Sequence, residues 1–449
     1  MRSRVVNYQD VLSSKRFDGS YHNAEANIYD GIIRHHSTNN LSFYCSGIYT
    51  SGRNKRVYTS EEFGVPFLSN ADATSADPFM SCKYTSKKYG FDEDGVLRKG
   101  MILTGRVGAI GQIAFVPSFW EEKKAIGSDN IIRILVKPQY KNGFIYAYLA
   151  SKIGNLSFWK HATGGVQPFI TDSMVGNLPI PDFQESFKDK VNSIIQESSK
   201  LREESMKALY EAHALIESHF PFAPTIEKTG VVSSKTVFNS QLKRVEATFH
   251  LSAGKQYDEY IKDHFSWKSL GEVSQSISRP GITPRMYVKD GITFMGGTDI
   301  FLSVPGSKKK LSRKAPNLND YLVQEGWILL PRSGTIGDVV FTNEQHAQKL
   351  VSEHVIRIIP NNILRRGFVF SFLSSKIGRA MIQRPIFGSV IQHVEPPLLA
   401  VIPIPVFDDA EMEKIASLAE YHRECWGKAA KKELEAISMV EQEIEKWNS

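Results

Sequence analysis

Lys99-Gly-Met-Ile-Leu-Thr-Gly-Arg-Val-Gly-Ala-Ile-Gly111 and Glu325-Gly-Trp-Ile-Leu-Leu-Pro-Arg-Ser-Gly-Thr-Ile-Gly337 together decide how this chain is built. Aligned at a shift of 226, they share Gly100/Gly326, Ile102/Ile328, Leu103/Leu329, Arg106/Arg332, Gly108/Gly334, Ile110/Ile336 and Gly111/Gly337. Self-similarity at a fixed period outranks local patterns in reading a fold. Upstream, Arg16-Phe-Asp18 with Tyr21-His22 is answered by Arg244-Val-Glu246 with Phe249-His250. Downstream, Ser128-Asp-Asn-Ile-Ile-Arg-Ile134 answers Ser352-Glu-His-Val-Ile-Arg-Ile358, and Leu149-Ala-Ser-Lys-Ile-Gly154 answers Leu373-Ser-Ser-Lys-Ile-Gly378. Leu178-Pro-Ile-Pro-Asp-Phe183 then matches Ile402-Pro-Ile-Pro-Val-Phe407. The shift drifts only from 228 to 224, half of the 449 residues. The sequence therefore predicts two copies of one unit laid end to end, a tandem duplication with pseudo-two-fold character.

Each copy has a mixed α/β part, a Pro-x-Pro exit and a helix-patterned tail. Met101–Thr104, Gln112–Val116, Ile131–Val136, Val339–Phe341 and Val355–Ile359 are apolar, β-branched runs that read as strands. Phe144–Ile153 and Phe368–Ile377 carry apolar residues at helical spacing, and each reads as a short buried helix. The expected division is a first domain over 1–183, a helix over 184–220, a linker over 221–243, a second domain over 244–407 and a second helix over 408–449. Gln184–His219 contains no Gly or Pro, and Val191, Ile194, Ser198, Leu201, Ser205, Ala208, Ala212 and Leu215 form a heptad seam. The second tail opens with Ile415, Leu418, His422 and Cys425, and closes with Leu434, Ile437, Val440, Ile444 and Trp447. Matching seams predict a long antiparallel coiled coil, the alternative being helices that lie on their own domains. Small residues in the seam favour helix–helix contact. Trp426 and Trp447 are expected to be partly exposed in the chain alone. The 36 residues of the first tail would span about 54 Å.

Lys plus Arg number 55 against 48 Asp plus Glu, so the net charge of +7 favours a polyanionic partner. Hydrophobic residues at 41% exclude a disordered chain. Cys45, Cys82 and Cys425 are widely spaced, which argues against a disulfide framework or a four-cysteine metal site. No signal peptide is visible after Met1, and the longest apolar run, Pro396–Phe407, holds four prolines. A cytoplasmic chain with no membrane span is expected. Catalytic apparatus is missing: there is no G-x-x-x-x-G-K-[ST] loop, no H-E-x-x-H and no EF-hand. Pro181-Asp182 opens like a nuclease carboxylate motif but no acidic-x-Lys follows. Glu395-Pro-Pro-Leu398 lacks the short acceptor and the aromatic of an amino-methyltransferase motif and reads as a structural turn. His35-His36 read as exposed loop histidines, and no catalytic or metal-binding residue is assigned.

What remains suits contact with DNA. Arg106 and Arg332 stand in identical Arg-x-Gly-x-Ile-Gly turns, where backbone N–H groups can approach an anion and the arginine can add a phosphate or guanine contact. Ser333, next to Arg332 in the second copy, is a further candidate for DNA contact; the alternative is a tight turn whose arginine pairs with a carboxylate of its own domain. Thr163-Gly164-Gly165-Val-Gln167-Pro168 and Phe387-Gly-Ser389-Val-Ile-Gln392 form a second repeated polar turn. Basic residues cluster at Arg53, Lys55 and Arg56; at Lys83, Lys87 and Lys88; at Arg279 and Arg285; and at Lys308, Lys309 and Lys310. Tyr58, Tyr84, Tyr89 and Tyr287 are interleaved with them. These loops differ between copies while the frame repeats, so two related domains should read two unlike sequences.

In this order the motifs resemble the specificity subunit of Type I restriction-modification systems, over essentially the whole chain. The Arg-x-Gly-x-Ile-Gly turn, the glycine-rich turn with Gln and the Pro-Ile-Pro exit look like that family's target recognition domains. Arg16-Phe-Asp18 and Arg244-Val-Glu246 vary its Arg-Leu-Asp opening, the glutamate departing from it. The resemblance implies a non-catalytic subunit that binds a bipartite, asymmetric double-stranded DNA target. Each domain would read one half-site, and the paired helices would set the unread spacer. The apolar seam (Val191, Ile194, Leu201, Leu215, Ile415, Leu418, Leu434, Ile437, Ile444) would pair the helices and dock partners. Those partners would be two adenine methyltransferase subunits carrying the S-adenosylmethionine, joined in some systems by a restriction subunit; this chain itself would hold no cofactor. The alternatives are the specificity chain of a Type IIB-like system and a DNA-binding adaptor of another phage-defence complex.

Overall fold

The computed structural model describes residues 5–447 apart from 23–24, 37–38, 54, 90–92, 109, 226–228, 240–241, 283 and 362. Two compact units divide it: Met1–Glu203 with Lys428–Ser449, and Glu204–Gly427. The expected second helix, over 408–449, ends outside the described residues.

In the first unit Asn39–Asn40 and Pro179–Ile180 form a small antiparallel pair, and the strands of the larger sheets are β1 (Cys45–Tyr49), β2 (Tyr58–Thr59), β3 (Gly64–Leu68), β4 (Lys83–Ser86), β5 (Ile102–Gly105), β6 (Ile113–Phe115), β7 (Ile126–Gly127) and β8 (Ile131–Val136). They form one sheet in the order β1-β8-β5-β6 and another in the order β2-β4-β3-β7. β5 and β8 pair antiparallel with Ile102 opposite Ile134, while β3 and β7 run parallel with Phe67 opposite Ile126. Ile102, Ile132, Ile134, Phe144, Leu149 and Phe158 are buried in a core that also takes Val191, Ile195, Ala436, Val440 and Ile444 from the two long helices.

In the second unit Ser266–Ser269 and Pro403–Val406 form an antiparallel pair, and the strands of the larger sheets are β9 (Ser274–Ser278), β10 (Tyr287–Met295), β11 (Lys310–Leu311), β12 (Ile328–Pro331), β13 (Val340–Phe341), β14 (Leu350–Val351) and β15 (Val355–Pro360). The sheet orders are β9-β15-β12-β13 and β11-β10-β14. Ile328 lies opposite Ile358, and the parallel pair β10–β14 sets Phe294 opposite Leu350. These are the same pairings, at nearly the same shift, as in the first unit. Phe341, Phe368, Phe370, Phe372 and Ile377 fill this core with Leu209, Ala212, Ile216, Ile415 and Ala419. A mixed α/β architecture is what the strand and helix patterns predicted.

Each expected short buried helix is in fact two. Asn142–Ala150 is followed by Lys152–His161, and Arg366–Ser374 by Lys376–Gln383. Ser151 and Ser375 break the run with extended backbone, and each side chain caps the next helix by accepting from the N–H of Gly154 or Gly378. A Cβ on Gly154 would sit 2.3 Å from the Tyr148 carbonyl oxygen, and one on Gly378 2.1 Å from that of Phe372. Only glycine allows a turn this tight, so the Ser-Lys-Ile-Gly repeat marks a corner.

The long helices are Glu185–Glu217 and Asp409–Lys446. Within the second unit Glu204, Glu211 and His219 meet Tyr421, Lys414 and Glu411 in turn, at 2.8, 3.3 and 2.9 Å, so these segments run in opposite directions. Within the first unit Ser198 donates to the Ala429 carbonyl at 2.8 Å and Lys432 pairs with Glu197 at 2.8 Å. Val191, Ile415 and Ile444 are buried as the seam requires. Ile194, Leu201, Leu215, Leu418 and Ile437 lie half-buried at its margin, because the buried stripe also turns toward each globular core through Ile195, Leu209 and Ile216. Leu434 points outward at 42% exposure, contrary to its expected place in the seam. Glu433 holds the inward position instead, paired with Arg202 and accepting from the Tyr146 hydroxyl at 2.7 Å.

Trp426 is buried with its indole N–H on the Ser303 carbonyl at 2.9 Å, so the expectation of exposure fails there. Trp447 stacks on His36 at 4.2 Å and on Phe183 at 4.6 Å. His35 is exposed as expected but closes the helix Ala26–His35 rather than lying in a loop, while His36 follows it as the C-cap. The expected linker carries a short helix, Ser234–Asn239.

Candidate nucleic-acid interface

In the first unit the Arg106 turn leaves β5 and is pinned on both sides by backbone. The Arg106 N–H donates to the Asn130 carbonyl at 2.8 Å, and the Arg106 carbonyl accepts from the Ile170 N–H at 2.9 Å. Thr163 and Phe169 exchange two backbone bonds at 2.9 and 2.7 Å, closing the second polar turn as a tight hairpin, and Val107 bridges to Phe169. Gly164, Gly165 and Gln167 are exposed on this hairpin, and Thr163 is half-buried at its base. The two repeated turns, far apart in sequence, are therefore neighbours.

A third element joins them. Asp129, next to the Asn130 that holds Arg106, is buried and pairs with Arg56 and, at 3.3 Å, with Arg53. The Arg56 guanidinium lies 5.1 Å over the Phe67 ring, Tyr58 meets that ring edge-on, and the Lys83 ammonium lies 4.7 Å over Tyr58. Lys55, Lys87 and Lys88 are exposed on the adjoining loops.

The second unit repeats the arrangement. The Arg332 N–H donates to the His354 carbonyl at 2.8 Å, and its carbonyl accepts from Val394 at 3.0 Å. Phe387 and His393 close the hairpin at 3.0 and 2.8 Å, and Ser333 bridges to His393. Ser389 and Gln392 are exposed on it. Arg285 pairs with Glu353 at 2.5 Å and lies 5.3 Å over Phe294, with Tyr287 edge-on to the same ring. Burial would raise the Glu353 carboxyl, but the Arg285 partner outweighs it and holds the group below the usual carboxylate range. Lys308 and Lys309 are exposed beside this cluster, and Lys310 lies on β11 opposite Thr293.

The units part at the arginine itself. Arg332 pairs with Glu395 at 2.6 Å, and Arg279 pairs with the same carboxylate at 3.1 Å. Burial pushes the Glu395 carboxyl up, and the two guanidiniums overcome that and lower it. The carboxylate alternative read from the sequence is thus realised at Arg332. At Arg106 the position equivalent to Glu395 is Thr171, which caps the short helix Asp172–Gly176 and offers no charge.

Sequence reasoning missed Asp129, Glu353 and Glu395, though the first two stand in the repeated Ser-acid-x-x-Ile-Arg-Ile segment. That segment's arginine was also passed over: Arg133 is fully buried, donating to the carbonyls of Ile131 at 2.9 Å and Gly95 at 3.1 Å, and so braces the turn that carries Asp129. Among the described residues no group of three or more His, Cys, Asp or Glu could hold a metal ion. No described helix is long and apolar enough to cross a membrane.

Residues 265–435 match the family model of the Type I restriction modification DNA specificity domain. No curated protein matches the chain. Among solved structures it is similar to the HsdS subunit from Thermoanaerobacter tengcongensis, with 15% identity over 91% of this chain and 95% of that one, at a TM-score of 0.30. It is also similar to the S subunit of a Type I restriction-modification system from M. genitalium, with 13% identity over 90% and 93% of the two chains and a TM-score of 0.33. The family match covers the second unit's sheets, its polar hairpin and much of the second long helix, and over those residues the resemblance read from the repeated motifs to a Type I specificity subunit is borne out.

Proposed function

We propose that this chain is a duplicated, non-catalytic DNA-specificity subunit in which each unit, a target recognition domain, reads one half of a bipartite, asymmetric site. One observation carries the reading: in both units the arginine turn and the polar hairpin, repeated at shifts of 226 and 224, are bridged to each other and adjoin an arginine–acid–aromatic cluster, Arg56–Asp129 with Phe67 or Arg285–Glu353 with Phe294. Such a surface offers backbone donors for phosphate and side chains for base edges. The proposed domains are 1–183 and 244–407, with 184–220 and 408–449 as spacer helices and 221–243 as linker. The helices of 33 and 38 residues would extend about 50 and 57 Å. A double helix advances about 3.4 Å per base pair, so helices of that length suit a ruler between half-sites. Methylation would belong to two partner methyltransferase subunits, docked on the helices and carrying S-adenosylmethionine, with cleavage left to a restriction subunit where one is present.

The test is selection from random duplexes by the chain in complex with its methyltransferase. The expected product is two fixed half-sites at constant spacing. Recovery without base preference would identify a sequence-blind adaptor instead. Inserting one heptad into each long helix should then lengthen the spacer by about 3 base pairs, since seven residues rise about 10.5 Å, and leave both half-sites unaltered. Unchanged spacing would mean that the helices only brace the units.

A further inference from the structure

The polar hairpins carry an apolar residue where a soluble protein has least reason to place one. Val166, at the tip of the first, is 102% exposed, and Val390, at the equivalent place in the second, is 93% exposed. A lone exposed valine is ordinary; one at the apex of the same turn in both units is a repeated feature. The turns share a backbone shape that requires glycine. Gly164 and Gly388 take φ of +98° and +99°, and a Cβ there would sit 2.7 Å from the Gln167 carbonyl oxygen or 2.4 Å from that of Ile391. Each hairpin is fastened to its arginine turn through the Val107–Phe169 or Ser333–His393 bridge. The valine is thus held out at the tip of the hairpin, beside the groups that suit DNA.

We propose that Val166 and Val390 each read a thymine C5-methyl group in the major groove, one within each half-site. The inference rests on the DNA-specificity reading above and adds the ligand chemistry of the hairpin tip. The major groove presents one apolar group, the thymine methyl, and small aliphatic side chains are its usual partners. Polar neighbours on the same turns, Gln167 and Gln392, supply hydrogen bonds to adjacent base edges. An apolar tip aimed at a protein partner would have no need of the arginine turn beside it, and the chain's net charge of +7 favours the polyanion.

Replacing thymine by deoxyuridine, one position at a time, removes only the methyl group. Binding of the chain in complex with its methyltransferase to its own selected site should weaken about three- to tenfold at one thymine in each half-site. In Val166→Ser the sensitivity of the first unit's half-site should vanish while the other is kept, and Val390→Ser should do the reverse. Both positions are fully exposed, so folding should be unaffected. A wild-type site indifferent to deoxyuridine everywhere, or one whose sensitivity survives both substitutions, overturns the inference while leaving the specificity function standing. Loss of methyltransferase association in either variant, with deoxyuridine sensitivity intact, also overturns it and makes the tip a protein contact. Failure of the wild type to select any two-part site removes both this inference and the reading beneath it.

Discussion

Arg106 and Arg332 occupy the same turn, with the same backbone partners on either side, yet their guanidiniums live differently. Arg332 shares Glu395 with Arg279, while the first unit has Thr171 and Ser51 at the equivalents of Glu395 and Arg279. The strand order of the sheet that carries the arginine turn, its central register, the hairpin and the Arg56–Asp129 or Arg285–Glu353 pair are common to both units, while the other sheet has four strands in the first unit and three in the second. The frame is therefore held by backbone bonds and buried charge, and the chemistry on it can change without moving the frame. That separation is what two domains reading unlike sequences would need.

The largest expected difference between the units lies in their interiors. Burial lowers His213 and His346 to about 3 and His422 to about 4 in the second unit; in the first, burial lowers His161 to about 4. Each is neutral in the folded protein, whereas an unfolded histidine takes a proton near pH 6.5. The stabilisation is therefore complete above that value and is lost as pH falls toward 3–4. At pH 5 the loss is about 2 kcal/mol per histidine, hence about 6 kcal/mol for the second unit and about 2 for the first. The lowered carboxyls of Glu353, Glu395 and Glu420 act the same way only at lower pH, below the ordinary glutamate range. Hydrogen-exchange protection at pH 7 and pH 5 should fall much further in peptides of the second unit. Equal losses, or an unchanged pH response in a His346→Gln/His422→Gln variant, would show that these imidazoles are not the cause.

Much of this comparison was legible in the sequence, because a repeat at constant shift exposes paired positions without knowledge of the fold. The strands at Ile131 and Val355, the two polar turns and the extent of both long helices follow from it. Side-chain partnership does not. Glu395 looked like the start of a proline turn, and so it is, as the residue capping Pro396–Ala400; that its carboxylate reaches Arg332, sixty-three residues earlier, depends on how the hairpin folds back. Ser151 and Ser375 were hidden inside apolar runs, since a serine that caps a second helix is indistinguishable from one that rides within the first. Leu434 was placed in the seam by heptad spacing, and lost that place to Glu433 because a buried carboxylate with two partners, Arg202 and Tyr146, is satisfied there.

The next contrast concerns DNA. Arg106→Ala should weaken binding by about 1–3 kcal/mol, relaxing one position of the first half-site if the contact is to a base and all sequences alike if it is to phosphate. Arg332→Ala should cost less in binding, because its charge is already spent on Glu395, and its loss leaves that carboxylate with Arg279. Competition binding of the two variants to the selected site orders them. A larger effect at Arg332 would mean that the Glu395 pair opens on binding.

The smallest effect is the most direct trial of the difference between the turns, because it trades one feature between units. Thr171→Glu sets a carboxylate where the second unit has Glu395, within the same local frame, and should draw Arg106 into an ion pair. Glu395→Gln does the opposite, freeing Arg332 and Arg279. Each phosphate neutralised contributes about −0.9 to the slope of log affinity against log salt. The slope should therefore become shallower by about one in Thr171→Glu and steeper by one to two in Glu395→Gln, with the half-site spacing unchanged. Because these side chains are partly exposed, the accompanying change in stability should be small, within about 1 kcal/mol. Salt titrations that leave both slopes at the wild-type value would show that neither arginine faces the phosphate backbone, and the contrast between the two turns would then belong to stability alone.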